Sequence, residues 1–225
     1  MINDVEQKLA AYGETNLKLI RVTDGGIKNR FLGNMIIAIK HFKEESKEIF
    51  SVRIQSLNSA RVAASMSDKF SLNKFEATVN HTDHSITIGP SQGIQVEEQL
   101  QNRGIGTYAL NELLLALRNN CPNYSFLPYE VTMSENVSES KKALLEAFLA
   151  KFNIPLSFSD LERRIGTVRA STPQQVINHY NQDKIQEIDL EEFIVQLVAE
   201  KTKNDTEIAN MKAEISRMGE ETLGG

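Results

Sequence analysis

Cysteine is almost absent from this sequence, which contains one, Cys121, and no tryptophan. A single thiol excludes an internal disulfide and is typical of a chain in a reducing compartment. No apolar run approaches the roughly 20 residues that a membrane-spanning helix requires. The first residues, Met1 to Glu6, hold neither a basic segment nor an apolar run, so no secretion signal is predicted. We therefore expect a cytoplasmic location and no association with a membrane.

Positive charge is in the minority, with 25 lysines and arginines against 30 acidic residues and a formal net charge of −5. Nucleic-acid binding usually requires a concentrated basic surface, so the acidic balance argues against it. The 225 residues, 40% of them hydrophobic, suffice for one domain of ordinary size and an appendage. Such a domain buries a proper core without disulfides or structural metals.

A glycine-containing turn stands at the centre of the sequence, between a short strand near Ile94–Gln99 and a long amphipathic helix. Gly104 and Gly106 allow a tight turn, and we expect them to leave no side chain over the backbone amides. Those amides open the helix and carry the positive end of its dipole, so a phosphate is the expected guest. Apolar residues then recur at helical spacing: Leu110, Leu113, Leu114 and Leu117. The candidate phosphate-binding residues are Gln101, Asn102, Arg103, Gly104, Ile105, Gly106 and Thr107.

This turn resembles the coenzyme A signature of the GCN5-related N-acetyltransferases, Q/R-x-x-G-x-G/A, with Gln101, Gly104 and Gly106 at the signature positions. In that family the loop amides hold the pyrophosphate of acetyl-CoA, and the preceding strand pairs with the pantetheine arm. The resemblance extends roughly from the N-terminus to Ala170. It implies an α/β (α+β) fold with a mixed, mostly antiparallel central sheet flanked by helices. It also implies acetyl-CoA as co-substrate, an amine acceptor and no metal.

A second segment resembles the family, with a strand ending at Val131, a loop that contains Asn136, and a helix over Lys141–Phe152. The resemblance makes Asn136 a candidate coenzyme contact. The family commonly ends this helix in K-x-G-F, where this chain has Asn153 and Ile154. Asparagine also adopts the left-handed conformation of a helix C-terminus, so the turn is physically allowed.

Catalysis of acetyl transfer needs a base for the amine and a proton donor for the leaving thiolate. Glu97 and Glu98 lie on the strand before the turn, where many family members place a base or a water-holding carboxylate. Alternate residues of a strand face opposite sides, so at most one of them faces a cleft. The family often supplies the proton from a tyrosine, but the matching position here is Leu149. Ser134, Ser138 or Tyr129 could substitute for it, and we take Ser134 as the candidate.

This departure leaves open a transferase without that acid, a different acyl chemistry, or a catalytically inactive module that binds partners. Gly104-x-Gly106-x-x-Ala109 also matches the loose dinucleotide fingerprint of a nicotinamide-dependent enzyme. That fingerprint normally follows a buried apolar strand, whereas Val96–Leu100 is half polar, so acetyl-CoA is favoured. A glycine turn with no ligand is the remaining alternative.

The rest of the N-terminal region shows alternating or β-rich runs at Leu17–Val22, Ile49–Leu57, Phe75–Val79 and Ser85–Ile88. The last two flank a short polar loop and predict a hairpin. Phe31–Phe42 contains the apolar run Met35–Ile39, which is too short to distinguish a helix from a buried strand. His81 and His84 have the spacing of a possible metal-ligand pair, but no third ligand accompanies them, so no metal site is predicted.

The C-terminal region predicts helices. Thr172–Gln175 has a threonine cap, a proline at the first helical position and a glutamine three residues after the cap. From Leu190 a heptad seam follows with alternating steps of four and three: Leu190, Ile194, Leu197, Lys201, Asn204, Ile208, Met211, Ile215 and Met218. We predict an acyl-CoA-binding domain over 1–171, a helical segment over 172–219 and a flexible tail over 220–225. The seam indicates a homo-oligomer or a protein partner, or a helix folded back on its own domain.

Overall fold

The computed structural model describes residues 14–56, 73–89, 96, 100–133 and 137–223. The chain divides into two compact units, Met1–Glu187 and Ile188–Gly225. Residues 172–187, which the sequence groups with the C-terminal helical segment, belong to the first of these units, and the domain boundary near Ser171 remains a prediction. Within the described ranges, no helix combines the length and apolar character needed to cross a membrane.

Five strands form an antiparallel meander at the centre of the first unit, and each of them pairs with the next along the chain. They are β1 (Glu14–Thr23), β2 (Phe31–Lys43), β3 (Lys47–Ser56), β4 (Lys74–Asn80) and β5 (Ser85–Gly89). The predicted hairpin is confirmed as β4 and β5. The segment that the sequence left undecided is β2, since pairing on both edges with β1 and β3 satisfies its backbone as a strand.

Two further strands extend this sheet. β10 (Ile185–Ile188) lies beside β1, and β6 (Ser125–Phe126) lies parallel to β5, which gives the order β10-β1-β2-β3-β4-β5-β6. A separate three-stranded sheet has the order β7-β9-β8 and contains β7 (Tyr129–Thr132), β8 (Leu156–Phe158) and β9 (Ile165–Val168). The expected mixed, mostly antiparallel sheet is thus present as a seven-stranded sheet.

Helix α1 (Ile105–Asn120) covers one face of the large sheet and contacts β2, β3 and β4. Leu110, Leu113, Leu114 and Leu117 are almost completely buried, as their spacing predicts. Full burial of a leucine contributes about 2 kcal/mol relative to exposure, so this helix is held mainly by its packing. It ends at Asn120 because Pro122 cannot continue the helical hydrogen bonds.

Two further α-helices and a short 3₁₀ helix follow α1 in the described part of the chain. Helix α2 (Glu139–Ala150) ends before Asn153, whose φ of 57° is the predicted left-handed turn. The capping pattern at Thr172 produces only a short 3₁₀ helix, Pro173–Gln175. Helix α3 (Leu190–Leu223) makes up most of the second unit.

Candidate functional site

The parallel neighbours β5 and β6 pair over a very short distance and then separate. Their register covers only Ser85 with Ser125 and Ile86 with Phe126. The last bond of this ladder runs from the Leu127 amide to the Ile86 carbonyl, at 2.8 Å. Pro128 follows and has no amide to donate, and the chain then enters the second sheet as β7. Among the described strands, none lies beside β5 on the β6 side beyond Ile86.

Connectivity places the glycine turn at the end of the sheet where these strands separate. A helix that connects two parallel neighbours must begin at the carboxyl end of the first strand and finish at the amino end of the second. Helix α1 is that connection between β5 and β6. Its N-terminus therefore lies at the carboxyl ends of both strands, where open α/β sheets bind ligands.

The turn itself is built from two residues in the left-handed conformation, Asn102 (φ 61°) and Gly104 (φ 82°). The Gly104 carbonyl accepts the first helical hydrogen bond, from the Tyr108 amide at 3.0 Å. The amides of the first turn before Tyr108 have no helical carbonyl to bind. That turn, which lies wholly in the described part of the chain, carries no acidic residue and no side-chain cap. The positive end of the dipole is consequently not neutralised by its own helix.

Side chains tie this turn to the segments on either side of it. The Gln101 side-chain amide donates to the Val96 carbonyl at 2.8 Å. The Lys184 ammonium donates to the Asn102 carbonyl at 3.4 Å. Lys184 comes from the segment before β10, which is fixed by a 2.9 Å bond from the Thr23 amide to the Lys184 carbonyl. The arrangement adds a cation beside the helix N-terminus.

The two glycines differ in what they allow at the turn. A Cβ at Gly106 would meet Val96 at 3.3 Å and Phe75 at 3.8 Å, so this glycine allows close packing under the helix. A Cβ at Gly104 would meet only Lys184 and Ile185, at the ordinary contact distance of 3.7 Å. Gly104 is required for its positive φ rather than for space. A side chain at either glycine would therefore face the protein.

A polar network fixes the next turn of α1 to the sheet. The Tyr108 hydroxyl donates to Glu187 at 2.8 Å, and the Lys18 ammonium lies 2.9 Å from Glu112 and 3.3 Å from Glu187. Burial and the neighbouring carboxylates raise the pKa of Tyr108, so it remains a hydrogen-bond donor. Burial lowers the pKa of Lys18, but the two carboxylates outweigh it and the net direction is upward. The network holds the start of α1, and therefore the glycine turn, in place.

The predicted catalytic residues Glu97, Glu98 and Ser134, and the predicted contact Asn136, lie outside the described residues. Of the other candidates, Tyr129 is half-buried in β7. Ser138 stands at the cap position of α2, with its hydroxyl 2.9 Å from that of Ser140. In the structure, the glycine turn lies at the same end of the sheet as the end of the β5–β6 pairing. The roles assigned to Glu97, Glu98, Ser134 and Asn136 remain predictions.

Leu149 packs against the hydrophobic core from the last turns of α2. Its carbonyl accepts the amides of Phe152 and Ile154, which closes the helix end. The side chain at the position of the family tyrosine is therefore apolar, partly buried and involved in packing.

Lys184 is the site residue that the sequence analysis missed. It lies about eighty positions after the turn and carries no local pattern of its own. Only the pairing of β10 with β1 brings it to Asn102. An isolated lysine just before a predicted edge strand is the one sequence feature that could have indicated it.

His81 and His84 both contact Tyr124 instead of converging on a common point. His81 Nδ1 lies 2.9 Å from the Tyr124 hydroxyl, and the His84 ring meets the Tyr124 ring edge-on with centroids 4.8 Å apart. Across the described ranges, no group of three histidine, cysteine or acidic side chains is placed to hold a metal ion.

A second polar cluster surrounds Glu48 near the C-terminal end of α1. The carboxylate is 6% exposed and lies 2.9 Å from Lys43 Nζ and 3.0 Å from His41 Nε2. His81 Nε2 is 3.3 Å away but lacks hydrogen-bond geometry. Burial raises the pKa of Glu48, but the bonds from Lys43 and His41 outweigh it and the net pKa lies below the ordinary value. Cys121 is buried nearby, and burial and Glu48 raise the pKa of its thiol.

Comparison of the chain with protein-family models, with curated proteins and with solved structures gave no match.

Proposed function

We propose that this protein is an acyl-CoA-dependent N-acyltransferase that moves an acetyl group from acetyl-CoA to an amine. One observation carries the proposal: β5 and β6 pair for two residues and then part, at the same end of the sheet as the N-terminus of α1. We propose that the strands leave a gap there, because a gap beside a helix N-terminus suits a ligand with an extended arm and an anionic group. Acetyl-CoA has this form, with an amide-containing pantetheine arm and a pyrophosphate.

The residues at the turn fit the anionic part of such a ligand. The first-turn amides of Ile105, Gly106 and Thr107 precede the first helical hydrogen bond and would hold the pyrophosphate. Lys184 adds a positive charge within reach of the turn. The backbone of β5 beyond Ile86 would pair with the amides of the arm, as an added strand does at a sheet edge.

The acetyl-transfer chemistry requires the acceptor amine to lose a proton and the thioester carbonyl to be polarised. Glu97 or Glu98 is the proposed base, and only one of them can face the gap. Ser134 is the proposed donor to the leaving sulfur, and Asn136 a further coenzyme contact. These roles come from the family resemblance, while the acceptor amine is assigned only by class.

The second candidate is a catalytically inactive module of the same architecture that acts through α3. It is favoured by Leu149, which packs where the family supplies a tyrosine. The two candidates share the ligand site and differ in turnover.

Calorimetric titration with acetyl-CoA, coenzyme A and NADH tests the proposal. We expect both coenzyme A forms to bind in the micromolar range and NADH not to bind. Release of coenzyme A thiol in the presence of polyamines, peptides and small primary amines then separates an enzyme from an inactive module. Absence of heat at millimolar acetyl-CoA would refute the ligand assignment, and binding without turnover for any amine would favour the second candidate.

A further inference from the structure

The apolar seam of α3 is largely open to solvent. Six of its side chains are between 46% and 65% exposed: Ile194, Leu197, Ile208, Met211, Ile215 and Met218. The helix is 34 residues long, about 50 Å, and its seam repeats over four heptads. A regular 3.5-residue repeat of this length is the signature of a coiled coil, in which a second helix covers the seam.

The order of side chains within the heptads favours a two-stranded coil. Position a holds Ile194, Ile208 and Ile215, all of them β-branched. Position d starts with Leu190 and Leu197. β-branched residues at a with leucine at d favour parallel pairs over larger assemblies.

The residues beside the seam distinguish the two orientations of a pair of identical helices. In a parallel pair, position g of one helix meets position e of the next heptad on its partner. Phe193 then meets Val198 of the second copy, which widens the apolar seam. Glu207 meets Lys212 with opposite charge, whereas Glu200 meets Asp205 with like charge. Glu207 lies 3.9 Å from Lys203 on its own helix, a separation that leaves the carboxylate accessible to a second cation.

An antiparallel pair of the same helices would place position g opposite position g. That row contains Glu200, Glu207 and Glu214, so carboxylates would face one another along the coil. Facing like charges are destabilising, and the antiparallel pair contains more of them than the parallel pair, whose contact of this kind is Glu200 with Asp205. The e positions would likewise face one another, which would place Asp205 opposite Asp205 of the second copy.

We propose that α3 pairs with α3 of a second copy of this chain as a parallel, in-register, two-stranded coiled coil. The proposal rests on α3 alone and is independent of acyl-CoA binding. Lys201 at position a and Asn204 at position d form one polar layer in the middle of the seam. Lys201 there lies between the acidic Glu200 and Asp205 of the partner copy. A single polar layer fixes register and limits the number of strands, at some loss of stability.

The mass of the full chain in solution is the first test. We expect sedimentation equilibrium to give twice the 25.3 kDa chain mass at micromolar concentration. Ile208→Glu should raise the dissociation constant by roughly a hundredfold, because two carboxylates would be buried in the seam. Ala213→Glu, on the opposite side of the same helix, is the matched control and should leave the mass unchanged. Both variants introduce a good helix former, so α3 itself is retained.

Orientation is tested by cross-linking of single cysteines. Ile215→Cys should form a disulfide between copies under mild oxidation, because equivalent a positions face each other in a parallel pair. Arg217→Cys, outside the seam, is the control and should cross-link far less. The charge pair gives a second test: Glu207→Lys and Lys212→Glu should each weaken the dimer about tenfold, and the double variant should restore it. A monomeric full chain, or a dimer in which Ile215→Cys does not cross-link, would overturn the proposal.

Discussion

The two ends of α1 differ in how the polar groups around them are paired. At the C-terminal end, the buried Glu48 carboxylate is bound by Lys43 and His41, and the nearby thiol is buried and protonated. At the N-terminal end, the first-turn amides, Lys184 and Arg103 all present positive character, and the described part of this region places no carboxylate on that turn. One end closes the fold, whereas the other is the proposed site for an anion.

Because of this difference, we expect one end of α1 to determine the stability of the fold and the other to determine ligand affinity. Substitutions near Glu48 should change the free energy of unfolding and leave ligand affinity intact in the folded protein. Substitutions at the turn should do the reverse unless they disturb the backbone. The predictions below test whether the two ends can be perturbed independently.

Glu48→Ala should have the largest effect, a loss of about 2 kcal/mol in the free energy of unfolding. The change removes the acceptor of two hydrogen bonds and leaves His41 without its partner in a half-buried site. Urea denaturation measures the loss, and Glu44→Ala on the exposed loop nearby is the control. Unchanged stability of Glu48→Ala would show that this cluster does not hold the fold.

Gly104→Ala should cost about 1–2 kcal/mol, because a side chain is disfavoured at a φ of 82°. The strain should also distort the turn and weaken acetyl-CoA binding at least tenfold. Gly26→Ala, in an exposed turn that does not require a positive φ, is the control for both measurements. If Gly104→Ala binds like the natural protein, the turn conformation does not create the proposed ligand site.

Acidification should remove part of the stabilisation that Glu48 provides. The folded-state pKa of Glu48 lies below its ordinary value of 4.5. The stabilisation is therefore complete above about pH 4.5 and is lost as the pH falls through the lower folded-state value. Urea denaturation between pH 6 and pH 3 should show a steeper loss for the natural chain than for Glu48→Gln. Parallel curves would contradict this assignment.

Lys184→Gln should have the smallest effect, a roughly threefold weaker affinity for acetyl-CoA with little change in stability. The loss should shrink at high salt because the side chain is partly exposed. Lys47→Gln, on an exposed strand end with the same charge change, is the control. An equal effect from both variants would indicate net charge rather than a local contact.

The fold could be predicted from the sequence where local pattern and tertiary context agree. The hairpin of β4 and β5 and the leucine-rich α1 follow from periodicity alone. β2 could not be assigned, because a short apolar run suits a helix or a buried strand until its neighbours are known. The strand predicted to end near Val131 is β7, whereas β6 on the other side of Pro128 belongs to the large sheet, a division that the local sequence does not reveal.

The candidate site could be predicted only in part. Its turn was found because signature residues are adjacent in sequence and glycine has a recognisable backbone role. The positive φ of Gly104 fits the tight turn that the sequence predicts. What a side chain at either glycine would meet could not be predicted, because it depends on Val96, Lys184 and Ile185, which the fold brings there. Lys184 was missed because long-range strand pairing leaves no trace in the local sequence.

The burial of Cys121 also determines how the chain responds to oxidants. Peroxide and alkylating reagents attack thiolates that are accessible, and Cys121 is 2% exposed with a raised pKa. The folded chain should therefore tolerate oxidative stress without forming a sulfenic acid at its single sulfhydryl. That inertness removes thiol oxidation as a route by which cellular redox state affects the protein as long as the domain stays folded.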